Sequence, residues 1–520
     1  MEISSCLAVL AVSLLSLQFL KLQWARRHFP PGPLPLPLLG TLWCFGSGWH
    51  QDTLSKLSKV YGKVFTIWVG HKPMIVVNGF RLVKQVLSNY SEETSCRVVT
   101  PFVRDTMKAK GILFSSGHTW KEQRRFGISV LRSLGLGRRS MEFCVQEEAG
   151  HMVEFFASKR GQSVDPRTPL FHAFCSVISN VIFGHPFDIE DKVYQKLIEC
   201  IEYEAHFFLS TFHLLYEVFP WLMCRLPGPH QKAFSCLEHI HSFGRSEIRR
   251  HKEKRETDEP QDFIDFYLDE INKKKDDPES TFDEANLVHV IYDLFTAGTD
   301  TGSSTLCWAL LFMVVYPDIQ EKVQAEIDAA VTCSQRISYE DRMNLPYTNA
   351  VIHEIQRHKY VLLVGNFRQC AKDATIFGFP MKKDTVIIPD IASALYDPEE
   401  WETPYQFNPN HFLDKEGNFF VRDAFIPFSI GKRLCLGENL ARMEIFLFFT
   451  NLLQAFTLRL PDGVREINTN AVRGGLAVQP YPYMICAVPR KATAWKREQE
   501  ASPESLEADV TKPSCCSLVV

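Results

Sequence analysis

The chain has no Cys-x-x-Cys pair, and its 15 cysteines are odd in number and scattered. That spacing argues against a zinc site and against a disulfide framework. It fits a chain kept reduced on the cytosolic side, with most thiols serving as small buried hydrophobes. A glycine motif for flavin or nicotinamide phosphates is also missing, so electrons for any redox chemistry must come from outside. Basic residues are not in excess. The net charge of −4 removes a whole-chain nucleic-acid reading. There is no internal repeat, and Cys515 and Cys516 do not complete a prenylation signal.

What is present is 520 residues, 45% of them hydrophobic, enough to build one large core. Residues 3–20 are almost wholly apolar or small. At about 1.5 Å per residue they nearly cross the roughly 30 Å hydrocarbon layer. No positive segment precedes them and no small-residue cleavage site follows, so an uncleaved signal-anchor is expected at 1–22 rather than a signal peptide. Lys21, Arg26 and Arg27 follow, which places the rest of the chain in the cytoplasm. Residues 23–40 form a basic, proline-rich hinge in which Pro31, Pro33, Pro35 and Pro37 alternate. Fixed φ angles make such a piece stiff and extended. Residues 41–490 are expected to form the catalytic domain, and the polar residues 491–520 a disordered tail.

Along the domain, 64–69 and 74–77 read as a hairpin around Gly70. From about 81 to 310 the pattern is mostly helical, including one helix over 199–219. That helix ends in the apolar stretch 219–227, which is either buried or dipped into a bilayer surface. The charged stretch 245–275 reads as solvated helix and loop. Thr281-Phe-Asp-Glu284 predicts a capping box. It opens a helix running without proline to Tyr316. At its centre, Ala297-Gly298-Thr299-Asp300-Thr301-Gly302 puts two costly glycines and three polar residues. A function and a close helix–helix contact weigh evenly there.

Near the end lies Phe428-Ser-Ile-Gly431-Lys-Arg433-Leu-Cys435-Leu-Gly437. Gly431 and Gly437 suit a tight loop around one sulfur. An amphipathic helix over 438–453 is expected next, and its N-terminus favours a thiolate. Such a thiolate is either a nucleophile or a metal ligand.

Taken together these residues resemble a microsomal cytochrome P-450, a haem-thiolate monooxygenase. The loop matches F-x-x-G-x-R-x-C-x-G at every fixed position. The central helix matches A-G-x-D/E-T, Glu354 and Arg357 match E-x-x-R, and Trp120 with Arg124 matches W-x-x-x-R. Wording around Trp401, His411 and Ala441 is similar to family 2, subfamily J. The resemblance implies a mainly α fold with smaller β-sheets (α+β) and a long central helix over the haem. It implies haem b with Cys435 as axial ligand, Phe428 and Gly437 against the group, and Trp120, Arg124 and Arg433 on its propionates, with Arg368, after the Glu354 helix, a further candidate. Asp300 and Thr301 become the proton-delivering pair. Glu354 and Arg357, joined by His411 where the family usually has arginine, become a buried structural network.

The resemblance further implies an endoplasmic reticulum location, and an NADPH–cytochrome P-450 reductase or cytochrome b5 as electron donor. Lys121, Arg125, Lys432 and Arg442 are candidates for the docking face. Val103, Phe114, Phe207, Phe212, Asp293, Ala297, Val361 and Leu476 are the candidate substrate contacts. A hydrophobic substrate is implied, either a fatty acid such as arachidonate or a lipophilic xenobiotic. The alternatives are a haem-thiolate isomerase or lyase acting on a lipid peroxide, and a non-catalytic haem-binding protein. The Asp300–Thr301 pair speaks against the isomerase.

Overall fold

The computed structural model describes residues 2–45, 51–135, 139–188, 190–208, 210–254, 259–331, 336–362, 367–472 and 477–490. The chain opens with helix α1 (Glu2–Arg26), long and apolar enough to cross a membrane and with its apolar side chains exposed. The hinge after it is not a free spacer. Arg26 donates to the Gly32 carbonyl at 2.9 Å, and Thr66 donates to the carbonyls of Pro30 and Pro31. A side chain at Gly32 would meet the Thr66 carbonyl oxygen at 1.9 Å, so the proline run lies directly on the first strand.

That strand, β1 (Val64–Val69), turns through Gly70 at φ +60 into β2 (Lys72–Val77), as the hairpin signal predicts. Three shorter strands, β3 (Cys96–Arg97), β4 (Arg368–Gln369) and β5 (Val386–Pro389), complete a sheet of order β1-β2-β5-β4-β3. Only β2 and β5 run parallel. The sheet's use is positional, because it brings Arg97 and Arg368 side by side from segments far apart in sequence.

The larger layer is helical: α2 (Pro101–Met107), α3 (Gly117–Ser133), α4 (Arg167–Phe183), α5 (Lys192–Phe207), α6 (Thr211–Val218), α7 (Pro229–Lys254), α8 (Glu284–Val315), α9 (Pro346–His358) and α10 (Glu438–Ala455). The single helix expected over 199–219 is two. Phe208 leaves helical angles at ψ 137, and the Ser210 hydroxyl caps a new start by accepting from His213 N–H. The charged stretch is only partly solvated. Residues 263–273 form a helix that buries Phe263, Ile264, Tyr267 and Leu268.

The cap of α8 is Asp283, accepting from the Asn286 N–H, rather than Thr281, which accepts from Gln123. Its 32 residues span about 48 Å. Both central glycines pack against α4. A Cβ on Gly298 would meet Ile178 at 3.1 Å, and one on Gly302 would meet the Phe174 ring at 2.3 Å. The close-packing reading therefore holds for the glycines, and α8 runs unbroken through them. Helix α10 is mostly buried around its circumference rather than one-sided, because it sits between α8 and the helix of residues 139–158.

Candidate active site

The loop before α10 is built around one sulfur. The Cys435 N–H donates to the Phe428 carbonyl at 2.9 Å, which closes the loop. Gly431 sits at φ +75, and a Cβ there would meet the Leu87 carbonyl oxygen at 2.0 Å. Gly437 differs from expectation: its φ is −92, open to any residue, so it is not needed for the turn. It does face the same cavity as the sulfur.

The side chain of Cys435 opens into that cavity, and the N–H groups of Gly437 and Glu438 act on its sulfur from the start of α10. Burial is nonetheless the larger influence and holds the thiol above its ordinary value. The helix end alone does not make a thiolate here. A bound metal ion would, since coordination deprotonates a thiol outright.

The cavity, of about 390 Å³, is lined by α8, the Cys435 loop, α3 and the stretch around Phe114. Four guanidinium groups border it: Arg97, Arg124, Arg368 and Arg433. Their partners are neutral. Arg433 donates to the carbonyls of Ser95, Ile112 and Ser115 and stacks 3.9 Å from the Trp120 ring. Arg124 donates to the Leu434 carbonyl at 2.7 Å, and Arg97 to those of Leu113 and Phe367. Among the described residues Arg368 reaches only the Ser429 hydroxyl, at 3.4 Å, and its Nη1 has no partner. The indole N–H of Trp120 is likewise buried and unpartnered.

Burial, and for Arg97, Arg368 and Arg433 mutual repulsion, lowers the pKa of each guanidinium. Guanidinium stays charged even so. Four positive groups with no carboxylate partner, two orphaned donors and one sulfur fit a flat group that carries two carboxylates and a thiolate-seeking metal. Haem b has that chemistry. Arg97 was not singled out from the sequence; nothing local marks it, since its place depends on β3 pairing with β4.

On the opposite wall, Asp300 and Thr301 both line the cavity. The Asp300 carboxylate is buried and accepts one hydrogen bond, from Gln479 at 3.1 Å. Burial pushes it up to about 6. Gln479 is a second residue that sequence reasoning missed. Thr301 donates to the Ala297 carbonyl at 2.8 Å, leaving its oxygen open to the cavity.

Of the expected substrate contacts, Val103, Phe114, Ala297 and Val361 line the cavity. Asp293 also does, but its carboxylate accepts from the Ile112 and Leu113 N–H groups at 2.6 and 2.8 Å, so it fixes the loop bearing Phe114. Burial pushes it up to about 7. Two expectations fail. Phe207 points the other way, into an aromatic cluster with Phe102 and His213, and Phe212 is 42% exposed outside the cavity. The break after Phe207 turns the chain, and Phe208 takes the lining position instead. Leu476 lies outside the described residues.

Behind the loop, Glu354 and Arg357 are both fully buried and pair through two contacts of 2.7 Å. Arg357 also donates to the carbonyls of Leu395, Pro404 and Gln406. Glu354 accepts from the Asn408 N–H, and His411 Nδ1 lies 3.2 Å away. His411 Nε2 meets the Thr403 hydroxyl. The three side chains expected to form a network are thus in contact with one another through Glu354. The proposed docking cations are less free than expected: Arg125 pairs with Glu122, Lys432 with Glu92 and Arg442 with Glu438. The Arg442 guanidinium also lies 4.9 Å from the Phe428 ring.

Comparison with known proteins agrees with this geometry. Residues 30–487 match the cytochrome P450 family. Cytochrome P450 2J2 of Homo sapiens is 41% identical over 477 residues, 92% of this chain and 94% of that protein. Cytochrome P450 2J5 of Mus musculus is 41% identical over 467 residues, 89% of this chain and 92% of that protein. Cytochrome P450 2A5 of Mus musculus is 38% identical over 491 residues, covering 94% and 99%.

Proposed function

The chain belongs to the cytochrome P450 family, a haem-b monooxygenase family with a cysteine thiolate ligand, and on that premise we propose that Cys435 would hold the haem through its thiolate. The observation that carries this is one sulfur facing a cavity bordered by four guanidinium groups, three buried and Arg124 half-buried, none of which has a carboxylate at ion-pair distance among the described residues. Bound there, haem would supply oxygen activation, in which one atom of O2 enters the substrate and the other leaves as water with two electrons and two protons. The protein's share is to hold and to deliver. Arg97, Arg124, Arg368, Arg433 and Trp120 would hold the two propionates. Phe428 covers the sulfur from the loop side, and Gly437 keeps the lining low next to it.

Asp300 moves protons from solvent and Thr301 presents its hydroxyl at the cavity wall. The electron donor is an NADPH-dependent reductase or a small haem protein. The substrate is a hydrophobic molecule, a fatty acid or a lipophilic xenobiotic, because the walls are mostly apolar. The enzyme sits on the endoplasmic reticulum, held by α1. The stretch after α6 adds to that contact: Trp221 is 63% exposed, with Leu222 and Leu226 also open, so it dips into the bilayer surface beside the anchor.

Two measurements test this reading. Cys435→Ala is expected to abolish the thiolate-type carbon monoxide difference spectrum of the reduced protein, and a retained spectrum overturns the ligand assignment. With reductase and a panel of hydrophobic substrates, NADPH is expected to be consumed with product formed. No consumption and no product overturns the monooxygenase reading.

A further inference from the structure

Helix α5 carries an acid where an apolar residue belongs. Leu197, Ile201, Glu204 and Ala205 share its buried stripe, and Glu204 itself is 1% exposed. It borders the cavity together with Ala205, Phe208, Tyr292 and His213. Neither of its carboxyl oxygens has a hydrogen-bond partner among the described residues. No neighbouring charge acts on it either; burial is the one influence, and it holds the group well above the carboxylate range. His213 is no counter-ion, since burial holds it neutral at about 3 and its Nε2 lies 3.3 Å from Glu217. An unpaired acid in an apolar wall is costly and is rarely left so in a core that needs only packing.

We propose that Glu204 determines substrate specificity by receiving the amino group of a lipophilic amine in the cavity. This rests on the monooxygenase reading and chooses between its substrate classes. Among the described residues a carboxylate head would find no free cation near Glu204, while the guanidinium groups at the sulfur end are claimed by propionates. A hydroxyl head would satisfy one oxygen without offsetting any charge. An amine entering neutral takes the Glu204 proton, leaving an ammonium–carboxylate pair; one entering as ammonium displaces that proton to solvent. Either way the pair satisfies both groups in a dry site, where charge-assisted bonds are strong.

The test uses the full-length holoenzyme and three probes with one chain and different heads: N,N-dimethyldodecylamine, dodecanol and dodecanoate. Affinities come from equilibrium dialysis. The wild type is expected to hold the amine about tenfold to a hundredfold more tightly than either other probe, the range of one buried charge-assisted bond. Glu204→Gln is expected to erase that preference while leaving dodecanol within about twofold. Glu204→Leu is expected to do the same with a melting temperature no lower than wild type, which separates recognition from folding. An amine preference that survives both variants overturns the proposal, as does dodecanoate binding as tightly as the amine. The carbon monoxide spectrum of the same preparations reports the haem site separately, so loss of that spectrum with the amine preference intact counts against the Cys435 reading alone.

Discussion

The fold holds two clusters of buried and half-buried charge, and they are built on opposite plans. In the Glu354–Arg357–His411 cluster every charge has an opposite charge or several carbonyls at hydrogen-bond distance. In the Arg97–Arg124–Arg368–Arg433 cluster the charges share one sign, and among the described residues their hydrogen-bond and ring partners are neutral oxygens and one aromatic ring. A closed cluster answers to the fold. An open one answers to something that is not protein. The contrast assigns roles without reference to any motif: the first holds the loop in register, and the second waits for carboxylates.

The largest expected effect lies in the closed cluster. Glu354→Gln leaves Arg357 charged and fully buried with carbonyls alone. It is expected to cost about 3–5 kcal/mol, read as a lower denaturant midpoint. The apoprotein and the haem-loaded protein should both lose it. If only the loaded form lost stability, Glu354 would belong to the cofactor site and the contrast would break.

In the open cluster the sign should differ between the two forms. Arg368→Met removes the least satisfied guanidinium and relieves repulsion with Arg97 and Arg433. The apoprotein is expected to be no less stable than wild type. Haem is expected to be lost to a scavenger protein about tenfold to a hundredfold faster, the worth of a charge-assisted bond. A destabilised apoprotein with unchanged haem retention would make Arg368 structural.

The two clusters also differ in how far the sequence reveals them. The sulfur loop and Glu354–Arg357 are local: their parts lie within ten residues, where spacing alone constrains geometry. Arg368 was reachable only as a neighbour of the Glu354 helix. Arg97 and Gln479 were not reachable, because a strand pairing and a loop some 179 residues from Asp300 place them. Phe207 and Phe212 failed because the expected helix over 199–219 is two: Phe207 closes the first with its ring in an aromatic cluster, and Phe212 opens the second on an exposed face. Glu204 did leave a signal, an acid on the apolar stripe of α5, but the expected helix over 199–219 carried no burial assignment. Gly302 was ambiguous until the Phe174 ring was seen to fill its place.

Asp300 sits between the two plans and sharpens the distinction. One carboxylate oxygen is held by Gln479, while the side chain borders the cavity. Burial raises the group to about 6, so the folded protein keeps its proton until well above the usual carboxylate range and gives it up as pH rises through that value. A proton donor with this behaviour works best below about pH 6 and fails progressively above it. The fraction of NADPH electrons recovered in product is therefore expected to fall about twofold to fivefold between pH 5.5 and 7.5 in the wild type, a modest slice of what a positioned acid contributes. Asp300→Asn should flatten that profile at its low end while the carbon monoxide spectrum stays intact. Gln479→Leu, which removes the one donor favouring the carboxylate, should shift the inflection upward. An Asn variant that kept the wild-type inflection would place the titrating group elsewhere and leave Asp300 as a member of the closed plan, held for structure alone.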